Sequence, residues 1–159
     1  MQGTPNENGS RVLDLNELLA ERRLDPVEVK LGDATYMVNT DLTGRETQTF
    51  ISLMQKGNDA AAFTLLVGTR EDRERVVAAA ERAVRANPGN PRAGVKVSPS
   101  PQGEAINAFI DGLPRMHQAL ISGTLMRASK ALAEFAKSDD QIYQDYGYGL
   151  DQVGESTAS

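Results

Sequence analysis

The sequence predicts a mainly α-helical fold with one small β-hairpin near the N-terminus. Apolar residues recur at three- and four-residue steps through most of the chain, which is the period of an amphipathic helix. Aromatic residues are scarce, at 5%, so the core must be built from aliphatic side chains, which favours helix packing. We therefore expect a compact helical domain, a C-terminal helical arm and disordered ends.

The N-terminal end is predicted to lead into a short helix. Residues 1–10 are polar and contain Gly, Asn and Pro, which is typical of a disordered segment. A helix then begins near Asp14, because an N-cap Asp followed three residues later by Glu17 is a capping-box pattern. We expect this helix to end near Arg22 or Arg23.

Two short runs after Pro26 predict the hairpin. Residues 27–31 and 34–38 each alternate apolar and polar side chains, and Gly32-Asp33 separates them. A two-residue turn forms readily there, because Gly accepts a positive φ at the first central position. An isolated hairpin is only marginally stable. This one must therefore pack on a helix or pair with a partner strand.

Three more helices are predicted before residue 87, each with its own start or stop signal. The first opens on a capping box formed by Thr43 and Glu46. The second is short and apolar and is stopped by Gly68, and Thr69 then begins a longer one. Residues 11–86 thus form a predicted helix–hairpin–helices domain. The predicted helix spans are 43–57, 59–67 and 69–86.

The C-terminal half is predicted to be more loosely organised. Residues 87–103 are rich in Pro and Gly and indicate a linker. Residues 104–137 are helical, either as an extended arm or as C-terminal helices, with a break at Gly112-Leu-Pro114 because Pro disrupts a helix interior. Residues 138–159 contain five acids and no Lys or Arg, which indicates an acidic flexible tail.

Charge and composition exclude several functions. The net charge of −5 comes from that tail, so the rest of the chain is balanced and lacks the basic excess of a nucleic-acid binder. The chain has no Cys and one histidine, His117, so it predicts no disulfide and no multi-histidine metal site. Neither a signal peptide nor an apolar run of about 18 residues is present, so we expect a cytoplasmic protein without a membrane span.

No catalytic or cofactor-binding motif is found. A P-loop requires Gly-Lys, which the chain lacks, and Gly147-Tyr-Gly149 is an incomplete dinucleotide motif. His117 is interpreted as a helix-surface or core histidine rather than a general base. Asp139-Asp140 and the Arg/Glu run of residues 70–75 are interpreted as solvated charge. The sequence therefore predicts neither an enzyme nor a cofactor or metal site.

The apolar stripe of the last helical region is the predicted partner-binding surface. An amphipathic helix usually buries such a stripe in its own core, so internal packing is favoured over partner binding. The two interpretations are compatible if one end packs inward and the other is exposed. The candidate partner-binding residues are Ile106, Phe109, Leu113, Met116, Leu120, Leu132 and Phe135.

The order of segments resembles a known family. The segments that carry the resemblance are the helix 14–23, the hairpin 26–36, the stretch 57–68 and the C-terminal residues 154–159 (Gly-Glu-Ser-Thr-Ala-Ser). Together they are similar to the tail assembly chaperones of long-tailed bacteriophages, particularly those infecting actinobacteria. The similarity covers roughly residues 12–86 and the short C-terminal signature.

The resemblance implies a function. Members of this family are mostly helical and coat the tape-measure protein, a long apolar helical rod, in the host cytoplasm. They typically occur in two lengths through ribosomal frameshifting and are generally missing from the finished virion. The implied partners are the tape-measure protein and the tail tube protein, with self-association as a further expectation. The alternatives left open are a head–tail adaptor, a tail completion protein or a host-directed binding protein.

Overall fold

The computed structural model describes residues 4–5, 11–21, 24–89 and 97–148. Within these ranges the chain is mainly helical and carries an antiparallel hairpin near the N-terminus, so the predicted fold class is confirmed. The elements in chain order are β1 (Thr4–Pro5), β2 (Arg11–Val12), α1 (Leu15–Glu21), β3 (Val27–Leu31), β4 (Ala34–Val38), α2 (Gly44–Gln55), α3 (Asp59–Val67), α4 (Arg70–Ala86), α5 (Pro101–Asp111), α6 (Arg115–Ser129), a 3₁₀ turn (Ala133–Phe135) and α7 (Asp139–Asp145).

The N-terminal segment is only partly described. Within the predicted disordered end, Thr4–Pro5 pairs antiparallel with Arg11–Val12. Asp14 accepts a hydrogen bond from the backbone N–H of Asn16 at 2.9 Å, which fixes the start of α1 as predicted. The rest of residues 1–10 and the predicted helix end at 22–23 lie outside the described residues.

The hairpin forms in the predicted register. Val27 pairs with Val38 and Leu31 with Ala34, so Gly32 and Asp33 make the turn, with Gly32 at φ 63°. Asn39, just after β4, ties the hairpin to α3. Its backbone N–H donates to the carbonyl of Leu66 at 2.7 Å, and its side-chain amide donates to two further carbonyls at that helix end. The hairpin therefore packs on a helix, as its marginal stability requires.

Helix α3 lies at the centre of the molecule. Every residue from Ala61 to Val67 is buried, as expected for a helix that is apolar on all sides. It contacts α2, α4, α5 and α6 as well as β4. Its neighbours α2 and α4 begin at the predicted N-caps, Thr43 and Thr69, and the capping box of Thr43 with Glu46 is complete.

Helix α5 begins earlier than the sequence analysis predicts and belongs to the core. Ser100 is its N-cap and Pro101 its first residue, so the helix starts within the segment interpreted as the linker 87–103. The Ser100 backbone N–H donates to the Thr64 hydroxyl of α3 at 2.9 Å. Ile106 and Ile110 are buried in the same cluster as Phe63. Residues 104–137 therefore fold as C-terminal helices on the core and not as an extended arm.

The C-terminal segment departs most from the prediction. The helix breaks at Gly112-Leu-Pro114 as predicted, but α6 then stops at Ser129 instead of continuing to residue 137. The acidic segment 138–148 is not a loose tail, because Ser138 caps α7 and Ile142 is buried. Arg127 of α6 pairs with Asp139 at 2.8 Å, and Lys137, just before α7, pairs with Asp145 at 2.7 Å. Residues 149–159 lie outside the described residues.

Candidate partner-binding surface

The predicted stripe does not form one exposed surface. Ile106 and Leu132 are fully buried in the core, which corrects their assignment as partner-binding residues in this conformation. Leu113, Met116 and Leu120 are half-buried on α6 or just before it. The exposed members of the stripe are Phe109 and Phe135.

The exposed Phe109 has an internal role as well. A β-carbon placed on Gly32 would lie 2.8 Å from the Phe109 ring, so the ring of α5 packs over the hairpin turn. Gly32 is therefore required twice, by its positive φ and by the close ring. Phe109 contributes to holding the hairpin in place, and only part of its surface is available to a partner.

The most exposed of the large apolar side chains lie on a different element, the segment around α1. The relative exposures of Leu13, Leu15 and Leu19 are 62%, 61% and 72%, and Leu24 is exposed as well. Leu15 and Leu19 are one turn apart on the same helix face, with the half-buried Leu18 beside them. Within the described chain, α1 packs closely against none of the other elements. We call Leu15 and Leu19 the leucine face.

The sequence carries a local signal for the leucine face. The leucine spacing in 15–19 predicts an amphipathic helix, and the stripe of residues 106–135 is longer and more prominent. A short helix cannot bury two leucines against itself, so its stability depends on packing against something else. That dependence is the signal that singles out α1.

A second surface feature is a groove of about 450 Å³ between α4 and the segment entering α2. Arg73, Glu46 and Asp41 are among the residues that line it. The Arg73 guanidinium donates to Glu46 Oε2 at 2.7 Å and Oε1 at 2.8 Å, and to Asp41 Oδ1 at 2.9 Å. The interpretation of residues 70–75 as a solvated helix face is therefore wrong for Arg73, which is 5% exposed.

The charges of this groove are already compensated. Arg70 lies 3.7 Å from Asp41, and Arg45 pairs with Glu81 of α4 at 2.7 Å. Burial raises the pKa of Glu46, but the hydrogen bonds from Arg73 and Thr43 and the positive charge of Arg73 outweigh it, so the pKa is lowered overall. With each arginine next to a carboxylate, the groove has the electrostatics of a structural network rather than of an anion-binding site.

A smaller groove of about 280 Å³ lies between α3, α5 and α6. Asp59 and Asp111 both line it, and the pKa of Asp59 is raised, first by burial and then by the charge of Asp111. His117 lies exposed on α6 outside this groove, in agreement with the helix-surface interpretation. Across the described ranges, no three His, Cys, Asp or Glu residues are arranged to hold a metal ion.

Comparisons with known proteins add no relative. The chain has no significant match among protein-family models, curated proteins or solved structures. No helix in the described part of the chain is long and apolar enough to cross a membrane. The functional argument therefore rests on the chain's own surface and on the order of its sequence segments.

Proposed function

We propose that this protein is a phage tail assembly chaperone that binds the helical tape-measure protein in the host cytoplasm and keeps it soluble. The observation that carries the proposal is the leucine face, an apolar helix surface that the described chain leaves uncovered. The order of its segments, which resembles that of the tail assembly chaperones, supplies the identity of the partner.

The leucine face has the properties that such a partner requires. Fully burying one leucine side chain stabilises a contact by about 1.5–3 kcal/mol, so the two leucines of the face give a weak, reversible contact for each copy. Many copies on a long rod bind strongly through multivalency. The contact is non-directional, which suits a partner whose apolar residues repeat along a helix.

Charge supports the same role. When the leucine face binds the partner, the rest of the chain's surface stays in solvent. The chain carries a net charge of −5. Copies arrayed on one rod therefore repel one another outside the contact, and net charge of this kind opposes aggregation. The acidic residues of 138–159 supply that excess.

Co-expression tests the proposal. The tape-measure protein from the same phage is produced alone and together with this chain, and its soluble fraction and the complex are measured after lysis. The proposal predicts a soluble complex only in the co-expressed sample. A tape-measure protein that stays insoluble, with no complex recovered, contradicts it. Recovery of this chain from purified virions by mass spectrometry would instead support a head–tail adaptor or tail completion protein.

A further inference from the structure

The chain reverses at Lys130 through a strained turn. Lys130 has φ 66° and ψ −47°, and within the described ranges it is the one residue other than glycine with a positive φ. The backbone N–H of Ala131 donates to the carbonyl of Ser129 at 2.7 Å, which closes a γ-turn around Lys130. This form of the γ-turn is rare and strained for an L-residue.

The residues around Lys130 do not favour a turn. Residues 127–137 read Arg-Ala-Ser-Lys-Ala-Leu-Ala-Glu-Phe-Ala-Lys, with no Gly and no Pro. Most of these residues are strong helix formers, and the glycine that commonly ends a helix is missing. The helix therefore stops because of tertiary contacts, against its local preference. Such a conflict between local and global structure is expected at strained or functional sites.

The contacts that hold the turn include exposed polar ones. A β-carbon on Gly123 would lie 3.6 Å from the Lys137 carbonyl and 3.7 Å from Ile142 Cδ1, so the returning chain packs directly on α6. Arg127 donates to that carbonyl at 2.8 Å and to Asp139 at 2.8 Å. Exposed ion pairs of this kind are individually weak.

The groups that disfavour the docked arrangement lie at the turn itself. The Ser129 hydroxyl, beside Lys130, is buried and has no hydrogen-bond partner among the described residues. An unpaired buried hydroxyl is unfavourable. Two neighbouring residues thus disfavour the docked arrangement, while Leu132 and Ile142 favour it by being buried.

We propose that residues 130–148 are a conformational switch. In one state, the one described, α7 is docked on α6. In the other, α6 continues through Lys130 to about residue 137 as a helix about 35 Å long, and α7 is released. Leu132 then follows Leu125 at a spacing of two turns, outside the core, and the apolar stripe of α6 becomes longer. The switch changes the length of the apolar helix surface that the chain exposes. It does not depend on the identity of the partner.

Distance measurements with paired spin labels can detect both states. The chain has no cysteine, so cysteine pairs placed at exposed residues can be labelled without removing native thiols. The pair H117C/Q144C reports docking, because α7 lies beside α6 only in the docked state. The pair H117C/E134C reports whether α6 continues through Lys130, because a continuous helix places these two Cα atoms about 26 Å apart.

Two substitutions move the equilibrium in opposite directions, and a third serves as a control. Asp139→Asn removes the partner of Arg127, and its matched control Asp140→Asn removes the neighbouring exposed charge, which makes no ion pair in the described structure. Lys130→Gly relieves the strain of a positive φ and weakens the continuous helix, so it favours docking.

The expected result is a second, longer H117C/Q144C distance whose fraction rises about two- to fivefold in Asp139→Asn, the size of one exposed ion pair. The fraction is unchanged in Asp140→Asn and falls in Lys130→Gly. Molecules with α7 released give a narrow H117C/E134C distance distribution at about 26 Å. Equal fractions in the two Asn variants, no second distance in Asp139→Asn, or a broad H117C/E134C distribution from a melted segment each overturn the proposal.

Discussion

Arg73 of α4 and Glu46 of α2 form a buried ion pair with two parallel hydrogen bonds, at 2.7 Å and 2.8 Å. Glu46 also accepts the backbone N–H of Thr43 at 2.9 Å, as the second half of the capping box. One carboxylate therefore fixes the start of α2 and joins it to α4. The buried charge of Glu46 is thus compensated by Arg73 and by a backbone donor, as a buried ion pair requires.

Loss of the Arg73 side chain should strongly destabilise the fold. Arg73→Met leaves Glu46 buried without its charge partner, and breaking a buried pair in this way costs about 3–5 kcal/mol. Urea unfolding followed by circular dichroism measures the change. The control Arg82→Met removes an exposed arginine of the same helix and should change the free energy of unfolding by less than about 0.5 kcal/mol. Equal effects of the two substitutions would contradict the structural role of the pair.

Stability should depend on pH through Glu46. The pKa of Glu46 is lowered in the folded chain because the hydrogen bonds from Arg73 and Thr43 and the charge of Arg73 exceed the opposing effect of burial. The unfolded pKa is about 4.3, so the stabilisation is present above this pH and is lost as the pH falls through the folded pKa. The difference in unfolding free energy between the native chain and Glu46→Gln should therefore narrow as the pH falls below about 4.3. A difference that stays constant from neutral pH to pH about 3 would argue against this origin.

Replacing Gly103 by alanine should destabilise the fold. A β-carbon there would lie 2.6 Å from the carbonyl oxygen of Ala60, which belongs to the backbone of α3. Gly103→Ala should therefore lower the free energy of unfolding by about 1–3 kcal/mol, although Ala is the better helix former. The control Gly44→Ala has open space around the new methyl group and should be neutral or stabilising. Thermal or urea unfolding compares the two, and a stabilising Gly103→Ala would refute the close approach of α3 and α5.

The elements that the sequence predicts well are those fixed by local signals. The hairpin follows from alternation around Gly32-Asp33, α2 from the capping box of Thr43 and Glu46, and the break after α5 from Pro114. In each case the decisive residues lie within a few positions of one another. Local chemistry then suffices, because the turn or cap is stabilised by its own neighbours.

The elements that the sequence analysis missed depend on distant partners. Ser100 and Pro101 carry the signal of a helix start, but the neighbouring prolines favoured a linker, and only packing against Thr64 decides the question. The turn at Lys130 has no local signal at all. Arg73 lies in a run of charges, and its burial depends on Glu46, which is 27 residues away.

The sequence predicts that an apolar helix face exists, but not which helix face is exposed. Helical periodicity identifies which residues share a face, but it does not say whether the face meets the core or solvent. Ile106 and Phe109 belong to one predicted stripe, yet Ile106 is fully buried and Phe109 is exposed. The leucines of α1 show the same pattern and are left uncovered.

The central claim is that the leucine face binds the tape-measure protein, and a quantitative co-expression series tests it most directly. The soluble fraction of the tape-measure protein is measured with the native chain, with L15S/L19S, and with the control M37S/V84S, which removes two exposed apolar side chains elsewhere. Circular dichroism of each purified chain verifies that its fold is kept. We predict that the native chain and the control keep the tape-measure protein soluble and that L15S/L19S loses most of this effect. Solubilisation by L15S/L19S equal to that of the native chain would contradict the claim.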